Sequence, residues 1–482
     1  MIRRYIVSLV QGIKPMKIVM FSINPLFEGQ VMGGAPKHLQ NIAIHMGKLG
    51  HEVVVVCTQR SAEQMPFQWG ENVTVKPVLP FKQPFPQPYA TPAYNLAAAV
   101  QQVGQELETA DRFYMHDGEF LFPYAYRHVP TVTSLRDNVY PETLLGGFLF
   151  QGHKLILISD YSRQYFEQTV GRFFPELPQR IQVVRNGLDW DKFKPVQPRH
   201  ILDIVPVDPA QDMIVLHPHR PEESKGIRQT IEVVDFLVNR FRLERVKALV
   251  PRWLDLDISD DLRGFYNSIR TEIATRGLTQ HFIFHNWIPH SLMPEYYSLG
   301  HVTLALGNYV ESFGNAVYES LGCGTPTVVS RVSAHRELLP EYLIDKVDFG
   351  DTGAAAQIAA NILIHRRRTS PETMAYLHER YSTGRQLDGY AQAILNAASI
   401  EDMRYRFMPI TEATRFKMPI WCYRSPRGIY HDFRGDYLSS DGLLRLTDLY
   451  PDGFTQADAA EVGVGSETVM GWYRDGYLYP VT

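Results

Sequence analysis

Short apolar runs alternate with stretches of helical periodicity along most of the chain, which predicts β-strands joined by helices. Residues 17–21 (KIVMF) read as a buried strand, followed by a glycine-containing loop over 24–34. Helical spacing begins at Ala35, with Pro36 in the first turn and Leu39, Ile42, Ala43, Met46 and Leu49 recurring on one face. Gly50 supplies the stop, and 53–57 is the next strand. Strand, glycine loop, helix, strand is a βαβ unit, and runs this apolar suit a parallel sheet covered on both faces. Further strands are expected at 113–115, 131–135, 155–158 and 181–184, with helices near 93–109 and 160–170.

The rhythm restarts after a Pro-, Asp- and Gln-rich stretch, 195–212, that reads as a linker. Strands at 213–216, 246–250, 282–284, 302–306 and 327–329 alternate with helices near 227–240, 261–276 and 315–322, and further helices fall at 354–368 and 384–399. The fold class is therefore α/β, with two facing Rossmann-like, doubly wound domains and ligand sites expected at their strand ends. The expected domains are 1–200, 201–385, a closing helix 386–400 returning toward the first domain, and a small, mainly helical appendage 401–482. The Pro- and Phe-rich segment 69–92 reads as an irregular excursion.

At 482 residues the chain is long enough for at least two cores, and 45% hydrophobic with 21% charged residues excludes wholesale disorder, collagen and coiled-coil fibre. Its formal charge of −4 gives no global case for nucleic-acid binding. Cys57, Cys323 and Cys422 form no CxxC pair, which argues against a disulfide scaffold or a cysteine zinc site and fits a reducing cytoplasm. No apolar run approaches a membrane span. The basic, apolar start (MIRRYIVSLVQGIK) reads as a short extension, or as a surface helix making peripheral membrane contact at the inner face.

The strongest chemical signal is Glu311, Ser312, Phe313, Gly314, Asn315 and, within the helix that follows, Glu319. A glycine there lets a ligand approach the backbone, and first-turn amides receive anionic groups. Glu319 could accept hydrogen bonds from vicinal ribose hydroxyls, and Glu311 faces whatever the loop encloses; the bland account is a solvated acidic pair. Arg220 and Lys225-Gly226 follow the strand ending His217-Pro218-His219, two cations around a turn that suit a diphosphate, although such cations are often merely solvated. Gly33 and Gly34 offer either a simple tight turn or a backbone wall against phosphate or sugar. His116, with Asp117 and Gly118 beyond the strand 113–115, is either a satisfied core histidine or a sugar contact.

With these motifs in order over roughly 17–398, the chain resembles the retaining family 4 glycosyltransferases, the glycosyl transferases group 1 class with a GT-B fold. Gly33-Gly34 through Gly50-His51-Glu52-Val53 is similar to that family's first motif, and Val183 to Asp189 with Phe193-Lys194-Pro195 to its interdomain sequence. His285 to Pro289 resembles the segment laid against the nucleotide base, which brings in Trp287 and Ile288. The resemblance implies Arg220 and Lys225 on the diphosphate, Glu319 on the donor ribose, Glu311 near the donor sugar and His116 on the transferred sugar. It implies a hexose donor linked to UDP, GDP or ADP, no cofactor or metal, and a glycan, lipid or small-molecule acceptor. Glu311 is then a positioning and electrostatic group, not a glycosidase-type nucleophile. The chain departs from the pattern at Arg185, Tyr114 and His285, and Arg331 to Glu337 stands where the family has Gly-Gly-x-x-Glu beside the donor phosphates or sugar.

Residues 454–480 resemble a MerR- or excisionase-like helix-turn-helix, with a Ser466-capped second helix. The alternative function is thus a DNA-linked regulator that senses a sugar nucleotide. Residues 451–482, however, hold five acidic residues against Arg474 alone, a net of −4, which opposes phosphate contact and favours packing or a homodimer contact through this segment.

Overall fold

The computed structural model describes residues 14–30, 34–61, 63–81, 91–118, 122–252 and 260–481. Gly33, the leading residues 1–13, the centre of the Pro/Phe excursion (82–90) and the acidic stretch 255–257 lie outside them. The chain packs as two compact units. One comprises Met1–Arg185, Gly384–Pro419 and Asp452–Thr482; the other comprises Asn186–Thr383 and Ile420–Pro451.

The first unit is built on eight strands: β1 (Lys17–Pro25), β2 (Glu52–Thr58), β3 (Phe67–Gly70), β4 (Val73–Leu79), β5 (Arg112–His116), β6 (Thr131–Leu135), β7 (Lys154–Leu157) and β8 (Ile181–Val183). Their order is β3-β4-β2-β1-β5-β6-β7-β8, parallel throughout except for β3 against β4. Alternate strand residues feed two cores. Ile18, Met20, Val53 and Val55 pack with Leu39 and Ile42 of the helix Gly34–Lys48, whereas Val19, Phe21, Val54 and Val56 pack with Ala99 and Val103 of Ala93–Leu107. That two-sided burial is why these strands read as unbroken apolar runs.

The second unit holds β9 (Met213–Leu216), β10 (Val246–Pro251), β11 (Phe282–His285), β12 (Val302–Ala305), β13 (Thr327–Ser330) and β14 (Asp345–Val347). All are parallel, in the order β11-β10-β9-β12-β13-β14. The order reverses between β9 and β12, and in doubly wound sheets ligands bind beyond the carboxyl ends of the strands at such a point. In the first unit the corresponding reversal falls between β1 and β5.

Two features differ from the sequence reading, in residues 67–79 and 401–482. Residues 67–79, placed partly in an irregular excursion, form β3 and β4; Phe67 pairs with Val75, so Pro77 sits beyond the end of β3 and costs that ladder no donor. The helix Thr383–Leu395 contributes Tyr390, Ala391 and Ile394 to the first unit's core. Residues 401–482 are shared between the units instead of forming one body. In the first unit β15 (Phe416–Lys417) pairs with β19 (Tyr479–Pro480), while in the second β16 (Cys422–Ser425), β17 (Gly428–His431) and β18 (Asp436–Leu438) form an antiparallel meander. The reason is burial: Phe416 and Phe454, joined by a β-bridge, are both buried in one unit, whereas the Asp432 side chain is fully enclosed in the other. The helices Gln456–Glu461 and Ser466–Arg474 are present, the first closed by a Thr455–Asp458 capping box; the cap of the second is Gly465, not Ser466.

Candidate functional site

In the second unit, two loops cross at the switch point. The loop after β9 carries Arg220 and Lys225, and the loop after β12 carries Glu311. They meet where Gly226 and Gly307 pass at backbone contact: a Cβ on Gly226 would lie 2.5 Å from the Gly307 nitrogen. The amides of Asn308 and Tyr309 both donate to the Ser224 carbonyl at 3.0 Å. This stitching delivers Lys225 to Glu311, with Nζ 2.6 Å from Oε1 and 3.5 Å from the centre of the Tyr309 ring. Both side chains retain partial exposure. Arg220 is not part of that pair; its half-exposed guanidinium faces Glu222 at 3.2 Å.

Beyond Glu311, Ser312 and Phe313 are buried, and Phe313 packs on Tyr318 and Tyr381. Gly314 takes φ +82° as the N-cap of the helix Asn315–Gly322 and, being glycine, supplies no side-chain cap. First-turn amides left open in this way form an anion-receiving end. Asn315 accepts from Asn186 Nδ2 at 3.1 Å, which ties the interdomain sequence motif to the same turn.

One turn into the helix, Glu319 accepts a hydrogen bond from the Tyr297 hydroxyl at 3.1 Å. It borders a cavity of about 180 Å³ lined by Pro218, His285, Trp287, Ile288 and Tyr296 among others. Trp287 stands 53% exposed there, an aromatic face open to a planar ligand. Burial pushes the Glu319 carboxyl up to about 7, against the opposing pull of the Tyr297 hydroxyl and Lys192. The second unit thus gathers Lys225, Glu311, Gly314 and Asn315 at one strand reversal, and Glu319, Trp287 and Ile288 around one adjoining cavity.

The first unit places Gly34 at the start of its helix and His116 at the end of β5. His116 is 2% exposed. Its Nδ1 lies 2.7 Å from the Tyr114 hydroxyl and its Nε2 3.0 Å from the Ala35 carbonyl. A carbonyl can only accept, so Nε2 carries the proton and Nδ1 accepts from Tyr114, whose oxygen is in turn 2.8 Å from Ser134 Oγ. Burial and Arg136 hold the imidazole well below its usual pKa, hence neutral. Both nitrogens are therefore engaged, Nε2 with the helix start and Nδ1 with Tyr114, an arrangement closer to the satisfied core histidine than to an open sugar contact. His38 stacks on His116 at 5.4 Å.

Sequence reasoning names Asp117 beside His116 and includes His335 in the divergent segment 331–337 without their contacts, and it passes over Gly307 and Tyr309. Asp117 takes φ +59°, and burial raises its carboxyl to about 6 despite Arg136. Tyr309, Gly307 and His335 join the Lys225–Glu311 group only because distant loops meet. The one local signal was the His-Asp-Gly end of β5, since Asp tolerates left-handed backbone better than most residues. Among the described residues, no group of three His, Cys, Asp or Glu side chains is placed to hold a metal ion, and no helix is long and apolar enough to cross a membrane.

Gly34 is exposed, and a Cβ on it would meet nothing within 4 Å. Gly34→Ala is therefore expected to melt no lower than the parent protein, with up to about 0.5 kcal/mol of added helix stability, checked by thermal denaturation. A fall of several degrees would show that the glycine serves internal packing and not an approaching ligand.

Residues 32–192 match the family described as Glycosyltransferase Family 4, and residues 205–362 match Glycosyl transferases group 1. O-antigen chain mannosyltransferase B of Escherichia coli is 24% identical over 291 residues, 58% of this chain and 71% of that protein. Sucrose-phosphate synthase from Thermosynechococcus elongatus superposes with a TM-score of 0.64 at 15% identity, covering 78% of this chain and 98% of that one. The Anabaena protein HepE, solved in complex with UDP and glucose, gives 0.59 at 19% identity over the same 78% and 98%. At such identities the structural likeness is one of fold.

Proposed function

This chain is a glycosyltransferase with the GT-B fold, and from that premise we propose that it moves a hexose from a nucleoside-diphosphate donor to an acceptor hydroxyl with retention of anomeric configuration. The donor belongs to the second unit. The observation that carries this reading is the Lys225–Glu311 pair, 2.6 Å apart at the β9/β12 reversal and followed directly by the uncapped helix at Gly314. As the bond to the diphosphate breaks, negative charge grows on the leaving phosphate, and a fixed ammonium with fixed amides stabilises it without reorganisation. Lys225 has three donor positions; Glu311 occupies one and leaves others for phosphate oxygen. Glu311 is thereby anchored as an orienting group, which suits departure and attack on one face of the sugar.

Glu319 and Trp287 are assigned to the nucleoside, the carboxylate to ribose hydroxyls and the indole to the base. His116 is assigned a positioning role at the start of the Gly34–Lys48 helix, and the first unit the acceptor. A mannosyltransferase relative acting on an O-antigen chain and a neighbour holding UDP and glucose make GDP-mannose and UDP-glucose the first donors to try. The test is a screen of UDP-, GDP- and ADP-sugars in EDTA for binding and donor hydrolysis, followed by oligosaccharide and lipid acceptors. Absence of binding to every nucleoside diphosphate would overturn the assignment.

The protonation of Glu319 gives a sharper check. With its carboxyl raised to about 7, the free protein holds a proton there that ribose hydroxyls, as donors to the carboxylate, displace. Nucleotide affinity should therefore rise as pH climbs from about 5.5 to 8, with release of up to about one proton near pH 6. Calorimetry in buffers of different ionisation heat measures that release. The sign is opposite for the unliganded fold: its extra stability from the protonated carboxyl is complete below the ordinary carboxylate pKa and is lost as pH rises through about 7. Glu319→Gln should weaken nucleotide binding and flatten both dependences; an unchanged proton count would remove Glu319 from the nucleoside site.

A further inference from the structure

The loop after β13, Arg331 to Glu337, departs from its family pattern, and a segment about a hundred residues away in sequence holds it in shape. Ser333 sits at φ +47°, a left-handed conformation that disfavours a non-glycine residue. Asp432, in the turn between β17 and β18, fixes it: the carboxylate accepts from the Ser333 amide at 3.2 Å and from Arg336 Nη1 and Nη2 at 2.8 and 2.7 Å. Arg336 also donates to the Ile420 carbonyl at 2.6 Å, and Lys346 Nζ donates to the carbonyls of Arg336 and Leu339. The pair is deeply enclosed, with side-chain exposures of 14% for Arg336 and 0% for Asp432.

The clamp closes on both sides of His335. That ring lies against Gly314, where a Cβ would be only 2.5 Å from His335 Cε1, and the preceding amide, Ala334, donates to the Glu311 carbonyl at 3.3 Å. The same turn touches the other loop of the site: a Cβ on Gly435 would lie 2.5 Å from Asn308 Nδ2, next to Tyr309. Residues 432–435 thus contact both loops that shape the surroundings of Glu311.

We propose that the meander 420–438 is a working part of the donor site, in which Asp432 is a positioning residue that sets His335 and Glu311 for the donor hexose. The inference rests on the donor reading above and adds to it a specificity element supplied from outside the α/β fold. It acts on the sugar end, because its contacts run to Ser333 and Arg336, which flank His335, and to Asn308, three residues before Glu311, while Glu319 accepts from Tyr297 and Trp287 lies in the loop after β11. Free nucleoside diphosphate should accordingly bind independently of Asp432.

The test compares full-length wild type, Asp432→Asn and the double variant Arg336→Met/Asp432→Leu, in which apolar groups replace both members of the buried pair. UDP, GDP and ADP are titrated alone, and turnover is measured with the sugar nucleotide of whichever binds. The double variant should lose about 10- to 100-fold in turnover and discriminate less well between hexose donors, with nucleoside-diphosphate affinity within about twofold of wild type. Asp432→Asn, which still accepts from Ser333, should fall between the two, and it decides the matter alone if the double variant does not fold. Donor kinetics within about twofold of wild type in the folded variants would overturn the proposal, as would parallel loss of diphosphate affinity and melting temperature. Wild-type protein that binds no nucleoside diphosphate would overturn the donor reading itself, a result distinct from either.

Discussion

Lys225→Met is expected to lower turnover with the productive sugar nucleotide by about 100- to 1,000-fold, the range seen when one preorganised donor to a developing oxyanion is removed. Two losses combine. The leaving diphosphate forfeits its nearest cation, and the Glu311 carboxylate, bonded to Lys225 Nζ at 2.6 Å, is left without that partner beside the buried Ser312 and Phe313. Methionine keeps the length and apolar packing of the side chain over Tyr309, so the fold should persist. Initial-rate kinetics separate this role from uniform binding, since turnover should fall more than substrate affinity. Lys225→Arg should rescue only in part, because a planar fork does not replace an ammonium seated over a ring. Unaltered turnover in Lys225→Met would place the leaving-group cation elsewhere, with Arg220 the next to replace.

The parts of this site that local sequence could disclose are those that one element carries alone. Glu311, Gly314 and Glu319 lie within nine residues, and the strand-loop-helix around them follows from an apolar run, a glycine and a short helix. The two sheets were legible for the same reason: strands buried on both faces leave uninterrupted apolar runs between helical stretches. Where a residue answers to a distant partner, that legibility ended. The helix Pro141–Leu149 was passed over because Gly146 and Gly147 interrupt it, yet a side chain at 147 would overlap the Phe166 ring. β14 is only three residues long, too short for a period. The meander β16–β18 read as a cluster of aromatics, since what fixes it is the pairing of Asp432 with Arg336 and of Tyr423 with Asp348, across 96 and 75 positions. Tyr309 joins the site by the same long-range route, and the motif reading, which singles out Lys225, Glu311 and the segment Arg331 to Glu337 that holds His335, does not disclose the contacts between them.

Gly314→Ala should damage both stability and catalysis, in contrast with Gly34→Ala. Alanine at φ +82° costs about 1–2 kcal/mol by its own backbone preference. Its methyl group would also meet His335 Cε1 at 2.5 Å, and that ring is 8% exposed and held on either side by contacts of Ser333 and Arg336 with Asp432. Either the ring or the helix start must shift, adding about 1–3 kcal/mol. A total near 2–5 kcal/mol corresponds to a fall of roughly 4–20 °C in melting temperature for a unit of this size. A displaced helix start would move the amides proposed to face the diphosphate, and misplacement by about 1 Å is enough for a loss near 100-fold in turnover. The steric and conformational shares can be separated, because His335→Ala removes the ring without altering the backbone angle. In a double-mutant cycle, Gly314→Ala should cost less by about 1–3 kcal/mol when His335 is already alanine, leaving the left-handed penalty behind. Full additivity of the two substitutions would mean that the ring yields freely, and the loop clamped by Asp432 would then not be the rigid wall of the site.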